Sequence, residues 1–365
     1  MNAHLEYMKR AYQLALKARG KTSPNPLVGA VIVKKGHIVA EGYHKRCGSD
    51  HAEIVALKKA RQRARGASLY VTLEPCFHYG RTPPCVDKII QSGIKEVYVG
   101  MIDPNPLTHG KSIQKLRRAN IKVHVGFMTK ELAQMNEAFI KYIKFKRPFV
   151  VAKCAQTLDG KIATAQGQSK WITSEKTRTY THQLRNDFDA ILVGINTVLK
   201  DDPRLNAAAH FKRLKKIVLD TQLKISPQAR LFKNILPSDC LLATTKKSNQ
   251  SKVNFFKKKG VGVIICPERD GKIDLRWLFK YLAKQEITNI LIEGGSTVIG
   301  QALKDGLVDK MYIYIAPKIM GDQNALNSFV GRRVTHVKQA IPLRDIKIKQ
   351  MDRDIFIEGY VHRNH

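Results

Sequence analysis

Short apolar runs rich in β-branched residues recur along the whole chain: ASLYVTL, KEVYVGM, DAILVGI, KIVLDTQ, CLLATT, GVGVIIC, NILIEGG and KMYIYIAP. Stretches of helical spacing or polar residues separate them. Strands that alternate with helices are covered on both faces, so the pattern predicts an α/β sandwich with a largely parallel central sheet. A chain of 365 residues with 43% hydrophobic content suits two such domains. The boundary falls in KYIKFKRPFV, read as a basic linker leading to Pro148 and a new strand, FVVAKCA. The expected domains are therefore 1–146 and 147–365. No internal repeat and no low-complexity segment is present.

Six cysteines are too few for a disulfide scaffold, which points to a reducing, cytoplasmic setting. The opening HLEYMKRAYQLALKARG is charged throughout and lacks a signal peptide's apolar core, and no apolar run is long enough to span a bilayer. The net charge of +34 invites a nucleic-acid reading. Its distribution argues otherwise. Residues 1–146 carry 26 basic against 10 acidic side chains, and the remainder carries 38 against 20, with no basic arm. An evenly basic surface equally suits anionic, phosphorylated substrates.

The first half holds the strongest chemical signal. His51 and Glu53 stand in DHAEIVAL, at the first turn of an expected helix. Cys76 follows Pro75 after the strand LYVTL, and Cys85 follows Pro84 at the start of another helix. Partial positive charge at helix N-termini favours thiolate, the form a metal requires. One His and two Cys make a three-ligand zinc site with a fourth position free for water. Glu53 has a competing role, because Asp50 and Glu53 have the spacing of a capping box. The sequence H-x-E followed by P-C and a second Cys is, however, the signature of zinc nucleobase deaminases, in which the Glu is no ligand but the proton carrier. The interval between the cysteines, FHYGRTPP, is longer than in the general deaminase pattern. It brings His78 and Arg81 near the metal, Arg81 toward a substrate phosphate or ring carbonyl.

SPNPLVGAVIV, GYH, HAE, TLEPCFHYGRTPPC and DPNP, in this order, resemble the deaminase half of the bifunctional riboflavin-biosynthesis deaminase/reductase family. The second half is similar to the same family through VAKCAQTLDGKIA, GQSKWITS, DAILVGINTVLKDDPRL and ILIEGGSTVIGQALKDGLVDKMYIYIAPKIMG. The resemblance implies a cytidine-deaminase-like α/β/α sandwich in front and a dihydrofolate-reductase-like α/β domain behind. It implies hydrolytic removal of the 2-amino group of 2,5-diamino-6-ribosylamino-4(3H)-pyrimidinone 5′-phosphate, then NADPH-dependent reduction of the ribosyl group to a ribityl chain. It also implies one Zn2+ per chain, NADPH, and a homo-oligomer (dimer or tetramer). Asn25 and His44 would line the deaminase pocket with His78 and Arg81. The cofactor contacts implied are Ala155, Trp171, Thr197, Asp201, Thr221, Gly295, Ser296 and Thr297. Those implied for substrate are Ser169, Arg185, Leu205 and Glu293.

Read from the residues alone, EGGSTVIGQAL follows a strand and opens a helix, where backbone N–H groups can cradle a phosphate. It is not G-x-G-x-x-G, which excludes a Rossmann assignment. Glu293 at the end of ILIE and Lys153 within VVAKCA are costly charges in strand positions; a buried Lys–Glu pair is one reading, substrate binding and proton management during hydride transfer the other. One departure stands out. The family continues DDPRL with a threonine and, two residues on, an arginine; here the stretch is NAAAH, and Ala208 stands in the arginine's place. His210, Lys212 or Arg213 would then have to substitute, and Arg213 is the expected phosphate contact beside Arg185. Two rivals remain: an RNA or nucleoside deaminase with an unrelated second half, and a binding protein with a vestigial site.

Overall fold

The computed structural model describes residues 3–77, 84–209 and 213–361. Contacts divide the chain into two compact units, Met1–Lys146 and Arg147–His365.

The first unit contains strands β1 (Gly29–Lys34), β2 (His37–Tyr43), β3 (Ser68–Leu73), β4 (Glu96–Met101) and β5 (Lys122–Val125). Its helices are α1 (Ala3–Leu16), α2 (Ala52–Ala60), α3 (Cys85–Gln91), α4 (Lys111–Arg118), α5 (Thr129–Met135) and α6 (Glu137–Phe145). The sheet order is β2-β1-β3-β4-β5. β3, β4 and β5 are parallel, whereas β1 runs antiparallel to both neighbours. The sheet is therefore mixed, and the reason is local. Lys35 and Gly36 both take positive φ, the geometry of a tight hairpin turn, which reverses the chain at once. Residues alternate across the sheet at the strand period. Ala30, Ile32, Leu69, Val71, Val97 and Val99 face a core shared with Ala52 and Ala56 of α2; Val31, Val33, Tyr70 and Tyr98 face Met8 and Ala11 of α1. Gly29 allows the close approach of α1, since a Cβ there would lie 1.9 Å from the Ala11 carbonyl oxygen. α6 runs through KYIKF, so the linker is shorter than the sequence suggests: the helix stops only at Phe145.

The strands of the second unit are β6 (Phe149–Thr157), β7 (Lys161–Ala163), β8 (Ala190–Gly194), β9 (Lys215–Leu219), β10 (Cys240–Thr244), β11 (Gly262–Ile265), β12 (Glu268–Arg269), β13 (Lys272–Ile273), β14 (Asn289–Ile292), β15 (Lys310–Ala316), β16 (Leu326–Asn327), β17 (Arg344–Met351) and β18 (Asp354–Tyr360). Its helices are α7 (Glu175–Leu184), α8 (Ile195–Asp201), α9 (Gln250–Lys258), α10 (Leu275–Lys284) and α11 (Ser296–Lys304). Nine strands form one sheet in the order β11-β10-β9-β8-β14-β6-β15-β18-β17. From β11 to β15 all pairings are parallel, as expected for apolar runs joined by helices; β18 and β17 then close one side as an antiparallel hairpin that the sequence did not announce. β17 is exposed along nearly its whole length: Ile346 and Ile348 alternate with Lys347 and Lys349, but both isoleucines stay exposed. Ala190, Leu192, Ile217, Leu219, Ile290 and Ile292 pack against Leu278, Leu282, Ile299 and Ala302 of α10 and α11. No helix among the described residues is long and apolar enough to cross a membrane.

Candidate active sites

In the first unit, helix starts and a strand end converge. His51 is the N-cap of α2, Cys85 the first residue of α3, and Cys76 follows β3 by three residues. The ligand atoms of these three side chains lie within 4.8 Å of one another. His51 Nδ1 is 3.2 Å from Cys85 Sγ and 3.5 Å from Cys76 Sγ. Zinc with Zn–S of about 2.3 Å and Zn–N of about 2.0 Å in a tetrahedral arrangement separates N and S donors by about 3.5 Å. The donor set and its spacing thus fit zinc, with one coordination position left over.

As protic groups the three are strongly interdependent. The hydrogen bond from Cys85 and the neighbouring His51 hold the Cys76 thiol down to about 4, against the opposing effect of burial. Cys85, giving that hydrogen bond and fully buried, is pushed well up. The contact with Cys76 raises His51 to about 9. Only one of the two thiols is intrinsically favoured as thiolate; a dication between them is what stabilises both. The backbone N–H of Cys85 also donates to Cys76 Sγ at 3.2 Å, a helix-start donor aimed at sulfur.

Glu53 is 3% exposed, and burial raises its carboxyl pKa while His51 opposes. The capping-box alternative is not what the structure shows. The N-cap is His51 rather than Asp50, no side-chain cap bond is made, and the Asp50 carboxylate pairs instead with Lys58 at 2.6 Å. Asn25 and His44 join the same cluster: Asn25 Nδ2 meets His44 Nε2 at 3.1 Å, His44 Nδ1 meets the Asp50 carbonyl at 3.2 Å, and the His44 and His51 rings stack edge-on at 5.3 Å. Burial lowers the His44 pKa, which keeps it neutral beside the ligands. His78 and Arg81 lie outside the described residues.

The sequence reading missed Glu74. Its buried carboxylate accepts backbone N–H bonds from Asp103, Gly110, Ser112 and Ile113, tying the loop after β4 to the segment that delivers Cys76. The carboxylate two residues before the P-C cysteine was the available signal.

In the second unit Glu293 and the Gly295 helix start follow the end of the parallel strand β14. β14 pairs with β6 so that Ile292 faces Ala152, setting Glu293 and Lys153 side by side at the next step. The Lys–Glu ion pair is not formed. Glu293 is held at both oxygens by Arg185, with Nε–Oε1 and Nη2–Oε2 both 2.8 Å, and Arg185 Nη1 also donates to the Asn206 carbonyl at 3.0 Å. Burial alone would raise the Glu293 carboxyl, but Arg185 and Lys153 hold it low. Burial lowers the Lys153 pKa, its ammonium sits 5.6 Å from the Tyr314 ring, and among the described residues it makes no hydrogen bond or ion pair.

Thr197 on α8 packs against Gly294, where a Cβ would come within 2.8 Å of the threonine Oγ1. Gly295 is the N-cap of α11 at φ +77, and no side chain caps that helix, which leaves the N–H groups of Ser296 and Thr297 for a ligand. This is a backbone cradle that suits a cofactor phosphate. Ser169 donates to Asp201 at 3.4 Å, and the Thr221 carbonyl accepts from the hydroxyls of Thr244 and Thr245. Ala155 is on β6, and Leu205 is buried at φ +54. Trp171 is not a core aromatic. It is 62% exposed, with the Arg178 guanidinium 4.2 Å from its ring centre. Arg213, expected beside Arg185, is instead paired with Asp239 at 3.0 Å, and no described contact joins it to Arg185 or Glu293. His210 and Lys212 lie outside the described residues.

Two comparisons along the sequence agree with this division. Residues 1–101 match the cytidine and deoxycytidylate deaminase zinc-binding region, and residues 148–357 match the RibD C-terminal domain. The riboflavin biosynthesis protein RibD of Aquifex aeolicus is 44% identical over 353 residues, 96% of each chain. The chain belongs to the RibD family. Among solved structures, RibD of Acinetobacter baumannii superposes with a TM-score of 0.88 at 34% identity, covering 98% of each chain. A diaminohydroxyphosphoribosylaminopyrimidine deaminase/5-amino-6-(5-phosphoribosylamino)uracil reductase from Thermotoga maritima gives 0.85 at 36%, again with 98% of each chain covered. The protein is thus a two-part α/β enzyme of riboflavin biosynthesis, with a zinc deaminase region in front and an NADPH-dependent RibD reductase domain behind.

Proposed function

We propose that residues 1–146 deaminate 2,5-diamino-6-ribosylamino-4(3H)-pyrimidinone 5′-phosphate and that residues 147–365 reduce the deaminated product with NADPH to 5-amino-6-(5-phosphoribitylamino)uracil. The observation that carries this reading is a buried Glu53 beside an N/S/S donor set, with its capping role excluded. His51, Cys76 and Cys85 hold zinc, which makes water nucleophilic at neutral pH. Glu53 accepts one proton of the attacking water and gives it to the ring nitrogen, then takes the second from the hydroxyl now on carbon and gives it to the departing amine, so that ammonia leaves neutral as the carbonyl forms. Asn25 and His44, locked to each other, orient the ring; His78 and Arg81 belong to the same pocket by family resemblance.

In the reductase half, NADPH supplies the hydride for C1′ of the ring-opened sugar. The Gly295–Ser296–Thr297 helix start receives a cofactor phosphate, with Ala155 of β6, Thr197 and Asp201 of α8, and Trp171 and Thr221 as further contacts. Lys153, its pKa lowered and its ammonium without a carboxylate partner, gives the proton that accompanies the hydride, and Glu293 holds the sugar hydroxyls. Ser169, Leu205, Arg185 and Arg213 complete the substrate side. The two arginines do so through the N–H groups their carboxylate partners leave unused. The enzyme acts in the cytoplasm as a homo-oligomer, dimer or tetramer, with the phosphorylated pyrimidine as its partner and no nucleic acid. The test is to incubate pure protein with the diaminopyrimidinone phosphate, with and without NADPH, and identify each product by mass. A deaminated product without NADPH and a reduced one with it are expected; recovery of unchanged substrate in both would sink the reading.

A further inference from the structure

Lys216 is the second residue of β9, between Ile191 of β8 and Cys240 of β10, and it is 2% exposed. A buried lysine on an interior strand is costly unless its ammonium is satisfied. Its three hydrogens go to the Arg204 carbonyl at 2.6 Å, Asn206 Oδ1 at 2.7 Å and the Leu231 carbonyl at 3.1 Å. That is the full donor capacity of an ammonium, spent on neutral acceptors. Among the described residues no carboxylate forms an ion pair with it. A methionine would fill the same space without the desolvation cost, so packing alone does not account for a cation here.

Two of the acceptors flank Leu205, which is buried at φ +54, a conformation unfavourable for leucine that its surroundings must enforce. The carbonyl of Asn206 in turn accepts from Arg185 Nη1 at 3.0 Å and meets His182 Nε2 at 2.9 Å, and Arg185 grips Glu293. One continuous chain of hydrogen bonds thus runs from Lys216, near the start of β9, through Asn206 and Arg185 to the carboxylate just past the end of β14. We propose that Lys216 is a positioning residue of the reductase: it fixes the 204–206 segment and, through Asn206, the Arg185–Glu293 pair, without touching substrate. The proposal rests on the reductase reading given above.

The experiment compares Lys216→Met and Asn206→Ala with the parent in the full-length zinc-loaded enzyme. The substrate for reduction is 5-amino-6-(5-phosphoribosylamino)uracil. Loss of charge-assisted bonds that order the segment should raise KM for this compound about tenfold in Lys216→Met. KM for NADPH and the rate of deamination should stay within about twofold, because neither site depends on the segment. Asn206→Ala removes one of the ammonium's three acceptors from a part-exposed loop, leaves the other two in place, and should move KM in the same direction by a smaller factor. Unchanged KM in both variants, even with a lower melting temperature, would overturn the proposal and assign Lys216 to the fold alone. Should Lys216→Met fail to fold, Asn206→Ala decides by itself. A parent enzyme that does not oxidise NADPH with this compound refutes both readings; a parent that does, matched by both variants, refutes only this one.

Discussion

Replacing Glu53 with glutamine separates proton transfer from every other task the side chain has. The amide is isosteric, so packing around a residue that is 3% exposed is kept. The helix loses little, because α2 is capped at His51 and no side-chain cap bond is made. What remains is a carboxylate near a helix N-terminus, worth about 0.3–1 kcal/mol, partly offset by relief from burying a charge. Stability should therefore change by less than about 1 kcal/mol. The rate should not. A positioned acid/base group contributes on the order of a hundredfold to ten-thousandfold, or about 3–5 kcal/mol of barrier. The assay is ammonia release from the diaminopyrimidinone phosphate, run beside zinc analysis and a thermal melt. A zinc-replete Glu53→Gln enzyme deaminating within about tenfold of the parent would refute the assignment. A variant that lost its zinc would instead show that Glu53 supports the ligand set.

Cys85→Ser should cut zinc well below one equivalent per chain and abolish deamination, while NADPH oxidation with the deaminated intermediate persists; metal analysis and the two assays decide it. Glu293→Gln strips one partner from a buried ion pair whose side chains are 17% and 6% exposed. Breaking such a pair costs on the order of 3–5 kcal/mol, so urea unfolding of the second unit should shift and reduction should fail with deamination intact. Asp159 is held down to about 2, first by Thr157 and then by the N–H groups of Gly321 and Met320. A carboxylate whose pKa is lower folded than unfolded stabilises above its ordinary value of 3.8 and loses that contribution as pH falls toward 2. Acid melts should therefore show the parent ahead at neutral pH and its lead over Asp159→Asn shrinking below the ordinary value of 3.8 until the two meet near the folded value of about 2; equal stability at all pH values would contradict this.

The zinc ligands were legible because their geometry is local: each stands at a helix start or strand end that Pro75, Pro84 and the H-x-E spacing mark in the sequence. The strands were legible for the same reason, through short continuous apolar runs rich in β-branched residues. What escaped the sequence depends on neighbours far along the chain. Lys153, in mid-strand, and Glu293, just past a strand end, are adjacent in register, as a Lys–Glu pair would require, yet Arg185 from another element takes the carboxylate. Lys216 was read as part of a strand, and nothing in KIVLDTQ says that the loop beyond DDPRL folds over its ammonium. Asp50 and Glu53 had capping spacing, but the helix begins one residue later than that spacing requires. β17 alternates Ile346 and Ile348 with Lys347 and Lys349, yet both isoleucines stay exposed and the strand joins the sheet only through β18.

The carboxylate of Glu74 bears on the order in which the first unit assembles. α4 starts at Gly110, which offers no side-chain cap, and its first turn has no acidic residue. The N–H groups of Gly110, Ser112 and Ile113 are satisfied by Glu74, the residue after β3 and 36 positions before Gly110. An isolated helix of this length is marginal in water, and this one has its stabilising anion on another element. α4 cannot persist in a nascent chain until β3 and β4 have paired and carried Glu74 beneath it. Amide hydrogen exchange should then show the first turn of α4 opening together with the end of β3, as one cooperative unit, rather than fraying alone.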